Sequence, residues 1–174
     1  MLSNLACLHY TTRLRFNPVK FMSNLQDLTT HVTRFRTAME TLRDQPETYP
    51  HLHYPGSNLA TFPTLWCDYS SEMLNAYLKS KGYLNFNLVT AFKLRGSRKC
   101  HVWLSDDHVV IDITADQFGK RKYPKVLICP PNDYPFKDQF KKVISVENIT
   151  HLHHDPIQQK QHIYQEISKL LQST

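Results

Sequence analysis

Three residues of types that together perform nucleophilic acyl chemistry follow one another along the chain: Cys67, His101 and Asp112. Cys67 comes directly before an amphipathic stretch, and the N-terminus of a helix lowers the pKa of a thiol. A thiol nucleophile also needs a base that takes its proton, and that base needs a third group to orient it. The order and spacing of the three residues predict a Cys-His-Asp triad.

A predicted hairpin carries the histidine and the aspartate. Its two segments are rich in β-branched and aromatic residues, and Ser-Asp-Asp at 105–107 separates them as a turn. Side chains alternate along a strand, so in the proposed pairing His101 and Asp112 point to the same face. Trp103 shares that face, and the isoleucines on either side of Asp112 take the opposite one.

An acyl-transfer site also needs donors for the oxyanion of the tetrahedral intermediate. The backbone amide of Cys67 is one candidate, and the side chain of Asn58 or Gln117 could supply the other. Asp68 follows the nucleophile directly, and its charge would oppose a thiolate unless it points away or caps the helix.

Each of these residues also has a purely structural interpretation. Cys67 alone is typical of buried core, and His101 alone is typical of a strand histidine bonded to the backbone. Cys100 points away from His101 and is predicted to be core. Trp66 and Trp103 are predicted to be packing residues that wall the cleft. Only the three catalytic types together favour an enzyme.

The surrounding pattern predicts a single α+β domain over residues 1–174. Apolar residues at steps of three and four indicate a long N-terminal helix, and a second helix should end at Gly82. The nucleophile helix should pack on a small antiparallel sheet. The predicted elements are helices at 18–44, 68–81 and 156–172, and strands at 87–94, 100–104 and 108–114. Residues 124–129 could form a fourth strand, and the catalytic core is predicted at 58–130.

The order of these motifs resembles a known superfamily. A cysteine at the head of a helix, then His-Val-Trp-Leu, then Val-Ile-Asp-Ile-Thr, is similar to the core of transglutaminase-like and papain-like cysteine enzymes. Ile111-Asp-Ile-Thr-Ala-Asp-Gln-Phe118 also looks like a segment of uncharacterised bacterial proteins with that core. The resemblance spans Phe62 to Phe118 and implies Cys67 as nucleophile, His101 as general base and Asp112 as its orienting residue.

This resemblance implies chemistry at an amide bond. The superfamily includes peptidases, protein glutamine deamidases, transglutaminases and arylamine N-acetyltransferases. A hydrolase, either a peptidase or a deamidase, is the favoured interpretation, and it needs no cofactor and no metal. Its substrate would be a protein or peptide.

Charge and composition restrict the partners. The chain carries a formal charge of +6, which favours acidic substrates, but its basic residues are scattered, which argues against nucleic acid. There is no CxxC pair, no stretch apolar enough to span a membrane and no secretory signal peptide, so a cytoplasmic location is predicted.

Two alternatives to the triad stay open. The histidines of His151-Leu-His-His-Asp155, with His51 and His53, could ligate zinc, although they lack the usual ligand spacing. A non-catalytic module could instead bind a protein or nucleic acid through its basic surface, with Cys67 structural. Thiol reactivity separates this module from an enzyme, because an activated cysteine is alkylated faster than the others near pH 6.

Overall fold

A computed structural model describes residues 18–54, 57–93, 100–148, 152 and 158–173, without the side chains of 18–23 and 142. The basic cluster of Arg95, Arg98 and Lys99 lies outside these residues. So do the histidines and the aspartate of 151–155.

Within the described residues the fold is α+β, with three helices and one antiparallel sheet of five strands. None of the helices in the described ranges is long and apolar enough to cross a membrane. The helices are α1 (Pro18–Asp44), α2 (Cys67–Ser80) and α3 (Gln159–Gln172), and the strands are β1 (Asn87–Phe92), β2 (Cys100–Ser105), β3 (Val110–Asp112), β4 (Leu127–Cys129) and β5 (Lys142–Glu147).

The helices agree with the pattern in the sequence. α1 has the bounds predicted from its apolar repeat, and α2 begins one residue earlier than predicted, at Cys67 itself. Gly82 ends α2 with φ at +91°, a conformation that glycine adopts readily, and its amide donates to the carbonyl of Lys79.

The sheet contains one strand more than predicted. Its order is β4-β3-β2-β1-β5, and β5 pairs with β1 across a bulge near Thr90. β5 (Lys142–Glu147) was missed because it is an edge strand with exposed apolar side chains, so its sequence lacks the run of buried residues typical of a central strand.

The two faces of the sheet belong to two different cores. The inner cluster lies between the sheet and the helices and contains Val102, Leu104, Ile111 and Ile113 from the central strands. The outer cluster covers the opposite face; its buried members are Val89, Ala91, Trp103, Val110, Ala115, Tyr134, Phe136 and Phe140. The apolar side chains of β2 and β3 thus alternate between the two cores.

A buried ion pair ties α1 to the turn after β3. Arg36 is almost fully buried and donates to both carboxylate oxygens of Asp116, at 3.1 and 2.9 Å, and to Glu40 at 2.9 Å. It also donates to the carbonyl of Ile113. Arg36 is therefore buried and ion-paired, and it does not contribute to the basic surface. It fixes the short 3₁₀ helix Ala115–Phe118 against α1.

Candidate functional site

His101 and Asp112 form a buried hydrogen-bonded pair on the outer face of the sheet. Leu104 of β2 lies opposite Ile111 of β3, and alternation from these inner residues turns His101 and Asp112 outward together. His101 Nε2 lies 2.7 Å from Asp112 Oδ2, and neither side chain has exposed surface. The pairing predicted from the sequence is present.

The carboxylate of Asp112 receives four hydrogen bonds. Besides His101, Tyr134 donates its hydroxyl to Oδ2 at 3.0 Å, and Thr114 donates its amide and hydroxyl to Oδ1 at 2.8 and 3.1 Å. Burial by itself raises the pKa of Asp112, but the charge of His101 and the hydrogen bonds from His101, Thr114 and Tyr134 outweigh it and hold the pKa below its usual value. Asp112 is thus kept ionised.

The second ring nitrogen of His101 faces Gln117. The side-chain Nε2 of Gln117 lies 3.5 Å from Nδ1 of His101. A carboxylate can only accept, so Nε2 carries the proton that Asp112 accepts. When His101 is neutral, Nδ1 has the lone pair that a general base needs.

Aromatic rings enclose the imidazole on its remaining sides. Phe118 meets it edge-on with ring centroids 4.8 Å apart, and Phe140, Trp103 and Phe136 lie at 5.4 to 5.9 Å. This packing holds the ring in place and keeps water away from the His101–Asp112 pair.

Cys67 is the first residue of α2 and is buried in the inner cluster. Leu65, two residues earlier, has φ at +65°, a left-handed conformation that costs a non-glycine residue about 1 kcal/mol or more. Trp66 holds the loop before α2 in place, because its Nε1 donates a hydrogen bond to the carbonyl of Asn58 at 2.7 Å. Backbone strain of this kind is often found at functional sites.

The thiol of Cys67 is a neutral group in this environment. Burial, and next the charge of Asp68, raise its pKa to about 12, and a backbone hydrogen bond with Val102 only partly offsets them. The expectation that the helix N-terminus lowers this pKa is therefore wrong for the structure as described, because burial dominates.

Cys67 and His101 lie on different sides of β2. Val102, the residue next to His101, belongs to the inner cluster with Cys67, whereas the ring of His101 packs against the outer cluster. No hydrogen bond joins the thiol to the imidazole. The structure thus brings together two members of the predicted triad and places the third near the backbone of the same strand.

Neither a protein-family model, nor a curated protein, nor a solved structure matches the chain.

The other predicted site residues divide between the two cores. Trp66 lies in the inner cluster near Cys67, and Trp103 lies in the outer cluster against His101 and Tyr134. The two tryptophans therefore do not face each other across one cleft. The carbonyl of Asn58 is engaged by Trp66, whereas Gln117 reaches His101 instead of the thiol.

The structure adds two residues to the site. Tyr134 and Thr114 both donate to Asp112, and sequence reasoning identified neither as functional. The sequence could have indicated Thr114, because a threonine two residues after an aspartate can donate a hydrogen bond back to its carboxylate. Tyr134 follows the Pro-Pro-Asn-Asp turn at 130–133, and nothing local indicates that it returns to the sheet.

The remaining cysteines and histidines do not form a second centre within the described ranges. Cys100 is exposed, which contradicts its assignment to the core, and Cys129 is half-buried. His51 approaches Glu166 at 3.5 Å and His53 bonds to the carbonyl of Leu42. Among the described side chains, no group of three His, Cys, Asp or Glu residues could hold a metal ion.

Proposed function

We propose that the chain is a cysteine-dependent acyl-transfer enzyme acting on an amide bond, most simply a peptidase or protein glutamine deamidase. The papain-like or transglutaminase-like core belongs to this proposal. The observation that carries it is the buried, hydrogen-bonded pair of His101 and Asp112, the arrangement that orients a histidine as a general base. The substrate would be a protein or peptide, and the basic surface favours an acidic one.

In the proposed reaction His101 acts as base only when substrate is bound. The proton of the Cys67 thiol passes to Nδ1 of His101 as Sγ forms a bond to the substrate carbonyl carbon. The C–N bond then breaks, and the amine or ammonia leaves with that proton. Water, deprotonated by the same nitrogen, attacks the thioester and releases the carboxylic acid and the thiol.

This sequence of steps requires a rearrangement at β2, because Cys67 and the ring of His101 lie on different sides of that strand. The resting thiol is neutral and buried, and Gln117 occupies the nitrogen that must receive its proton. Displacing Gln117 from Nδ1 would also release its amide for the oxyanion, alongside the backbone amide of Cys67.

The second candidate function is a non-catalytic binding module. It is favoured by the complete burial of His101 and by the pKa of Cys67, raised to about 12. In that case the His101–Asp112 pair is a buried polar network that specifies the core, and Cys67 is a packing residue.

Acyl transfer from p-nitrophenyl acetate separates the two candidates. The protein is mixed with the ester, quenched in acid and digested, and the acetylated cysteines are identified by mass spectrometry. The enzyme hypothesis predicts a transient acetyl group on Cys67 that His101→Gln slows by at least about 10²-fold. Glutaminyl peptides then distinguish deamidation, which releases ammonia, from peptide-bond cleavage, which creates new N-termini.

Cys100→Ser is the matched control, because Cys100 is the exposed cysteine in the part of the chain that the structure describes and reacts without catalysis. It should remove only the background adduct and leave the signal at Cys67 unchanged. If Cys67 is not acetylated, or reacts equally fast in His101→Gln, the enzyme hypothesis is wrong and the binding module takes its place.

A further inference from the structure

A pocket of about 260 Å³ opens on the outer side of the sheet, next to the aromatic rings that enclose His101. Its walls include four aromatic side chains from two segments, Phe118 and Tyr123 from one, and Phe136 and Phe140 from the other. Phe118 is more than a third exposed, although it is large and apolar. A concave aromatic wall of this size suits one flat or branched apolar group.

Two lysines stand at the same pocket. Lys93 follows β1 and Lys122 follows the 3₁₀ helix, so separate parts of the chain bring both ammonium groups to one opening. Neither forms an ion pair with a carboxylate in the part of the chain that the structure describes, and no lining side chain is acidic. Lys122 lies over the ring of Tyr123, 5.1 Å from its centroid.

Two carboxylates in the segments that line the pocket already pair with other cations. Asp116 is bound by Arg36, and Asp138 pairs with Lys141. The positive charge at the pocket is therefore not neutralised from within the described residues. An anion entering it would gain two ammonium partners without displacing an existing one.

We propose that this pocket binds an organic anion in which a carboxylate lies next to an aromatic or branched apolar group. The apolar group packs against Phe118 and Tyr123, the two aromatic side chains of the pocket that are not fully buried, and the carboxylate lies between Lys93 and Lys122. This site goes beyond the proposed acyl-transfer function and does not depend on it. Phe118 lines the pocket and also packs edge-on against the His101 ring, so the proposed ligand site adjoins the His101–Asp112 pair.

The test uses four probes and the folded full chain carrying Cys67→Ala, so that no turnover can occur. N-acetyl-phenylalanine is compared with N-acetyl-phenylalaninamide, and Ala-Ala-Phe with Ala-Ala-Phe-amide, by NMR titration of the backbone amides of Phe118 and Gln139. The carboxylates should bind, and each amide should bind at least about five-fold more weakly, because it lacks the charge that both lysines share.

Lys93→Gln and Lys122→Gln should each weaken carboxylate binding about two- to five-fold and leave binding of the amides unchanged. Lys120→Gln is the matched control, since Lys120 is exposed in the same segment but does not line the pocket. Phe118→Ala should weaken all four probes.

If Ala-Ala-Phe binds more tightly than N-acetyl-phenylalanine, the site is assigned to a peptide C-terminus. If the two bind equally, it is assigned to a small organic acid. Binding without any acetylation of Cys67 in the otherwise unaltered protein supports the site and rejects the enzyme. Three outcomes overturn the proposal and leave the enzyme hypothesis intact. The carboxylates do not bind, or they bind no more tightly than the amides, or Lys120→Gln weakens carboxylate binding as much as Lys93→Gln does.

Discussion

His101 donates its Nε2 proton to Asp112 Oδ2 at 2.7 Å, with both side chains completely buried on the outer face of the sheet. Burying a carboxylate is costly unless its lone pairs are met, and here four donors meet them. The pair is therefore a determinant of stability whether or not it is catalytic.

Asp112→Asn should destabilise the protein by about 1.5–3 kcal/mol. An amide has one oxygen and one NH₂, and both oxygen positions of Asp112 are surrounded by donors, so the NH₂ faces a donor in either orientation. Urea unfolding at pH 7 measures the loss. Asp138→Asn is the control, because Asp138 forms an exposed ion pair with Lys141 and should change stability by less than about 1 kcal/mol. Equal effects of the two substitutions would refute the special role of the buried pair.

The stability that Asp112 contributes should disappear in acid. Its pKa is lower in the folded state than the value of about 3.9 for an unfolded chain, so the contribution is present above pH 3.9 and is lost as the pH falls through the folded pKa. The gap in unfolding free energy between wild type and Asp112→Asn should shrink from pH 5 towards pH 2. Urea unfolding of both proteins between pH 5 and pH 2 tests this prediction. A difference in unfolding free energy that stays constant would contradict the lowered pKa of Asp112.

Cys67 should be alkylated slowly in the folded protein. With a pKa raised to about 12, its thiolate fraction at pH 7 to 8 is about 10³-fold below that of an ordinary cysteine, and higher intrinsic nucleophilicity recovers only part of this. Exposed Cys100 should react with iodoacetamide at least about 30-fold faster. Peptide mass spectrometry measures both rates.

In 8 M urea the two cysteines should be labelled at similar rates, which controls for the reactivity of the neighbouring sequence. If Cys67 is the faster cysteine in the folded protein at pH 6, the resting site holds a thiolate, and the burial described for Cys67 is not its state in solution.

Asp116→Asn should loosen the attachment of α1 to the turn that carries Gln117. Asp116 is buried against Arg36, and removing one partner of a buried ion pair leaves an uncompensated charge, at a cost of about 3 kcal/mol because Glu40 remains. The matched control is Asp44→Asn, which breaks the more exposed pair with Arg43. Thermal or urea unfolding measures the stability lost in each variant. If Asp116→Asn and Asp44→Asn lose similar stability, the Arg36–Asp116 pair contributes little to the stability of the fold.

The sequence was most informative where short-range periodicity decides the structure. The apolar repeat fixes α1, and the alternation of β2 and β3 is enough to pair His101 with Asp112. The same alternation also places His101 and Cys67 on different sides of β2. If Val102 faces the helix that begins at Cys67, then His101 must face away from that helix.

Contacts made by irregular segments could not be predicted in this way. The approach of Tyr134 to Asp112 depends on how the chain after β4 folds back over the outer face, and the pairing of Arg36 with Asp116 joins positions 80 residues apart. No periodicity links these residues. Charged or hydroxyl side chains inside an apolar repeat, such as Arg36 in α1, are nevertheless a reason to expect a buried partner.

Tyr134→Phe tests whether the hydroxyl above Asp112 supports the His101–Asp112 pair. The substitution removes one donor to Oδ2 and leaves the ring packed against Trp103, so stability should fall by about 1.5–3 kcal/mol. It should also raise the pKa of Asp112, because a hydrogen bond that favours the carboxylate is lost, and acid destabilisation should then begin at a higher pH than in the wild type. Tyr123→Phe is the matched control, since Tyr123 packs in the same cluster and its hydroxyl makes no hydrogen bond to the described residues. If both variants lose the same stability and keep the wild-type pH profile, the hydroxyl of Tyr134 does not act on Asp112.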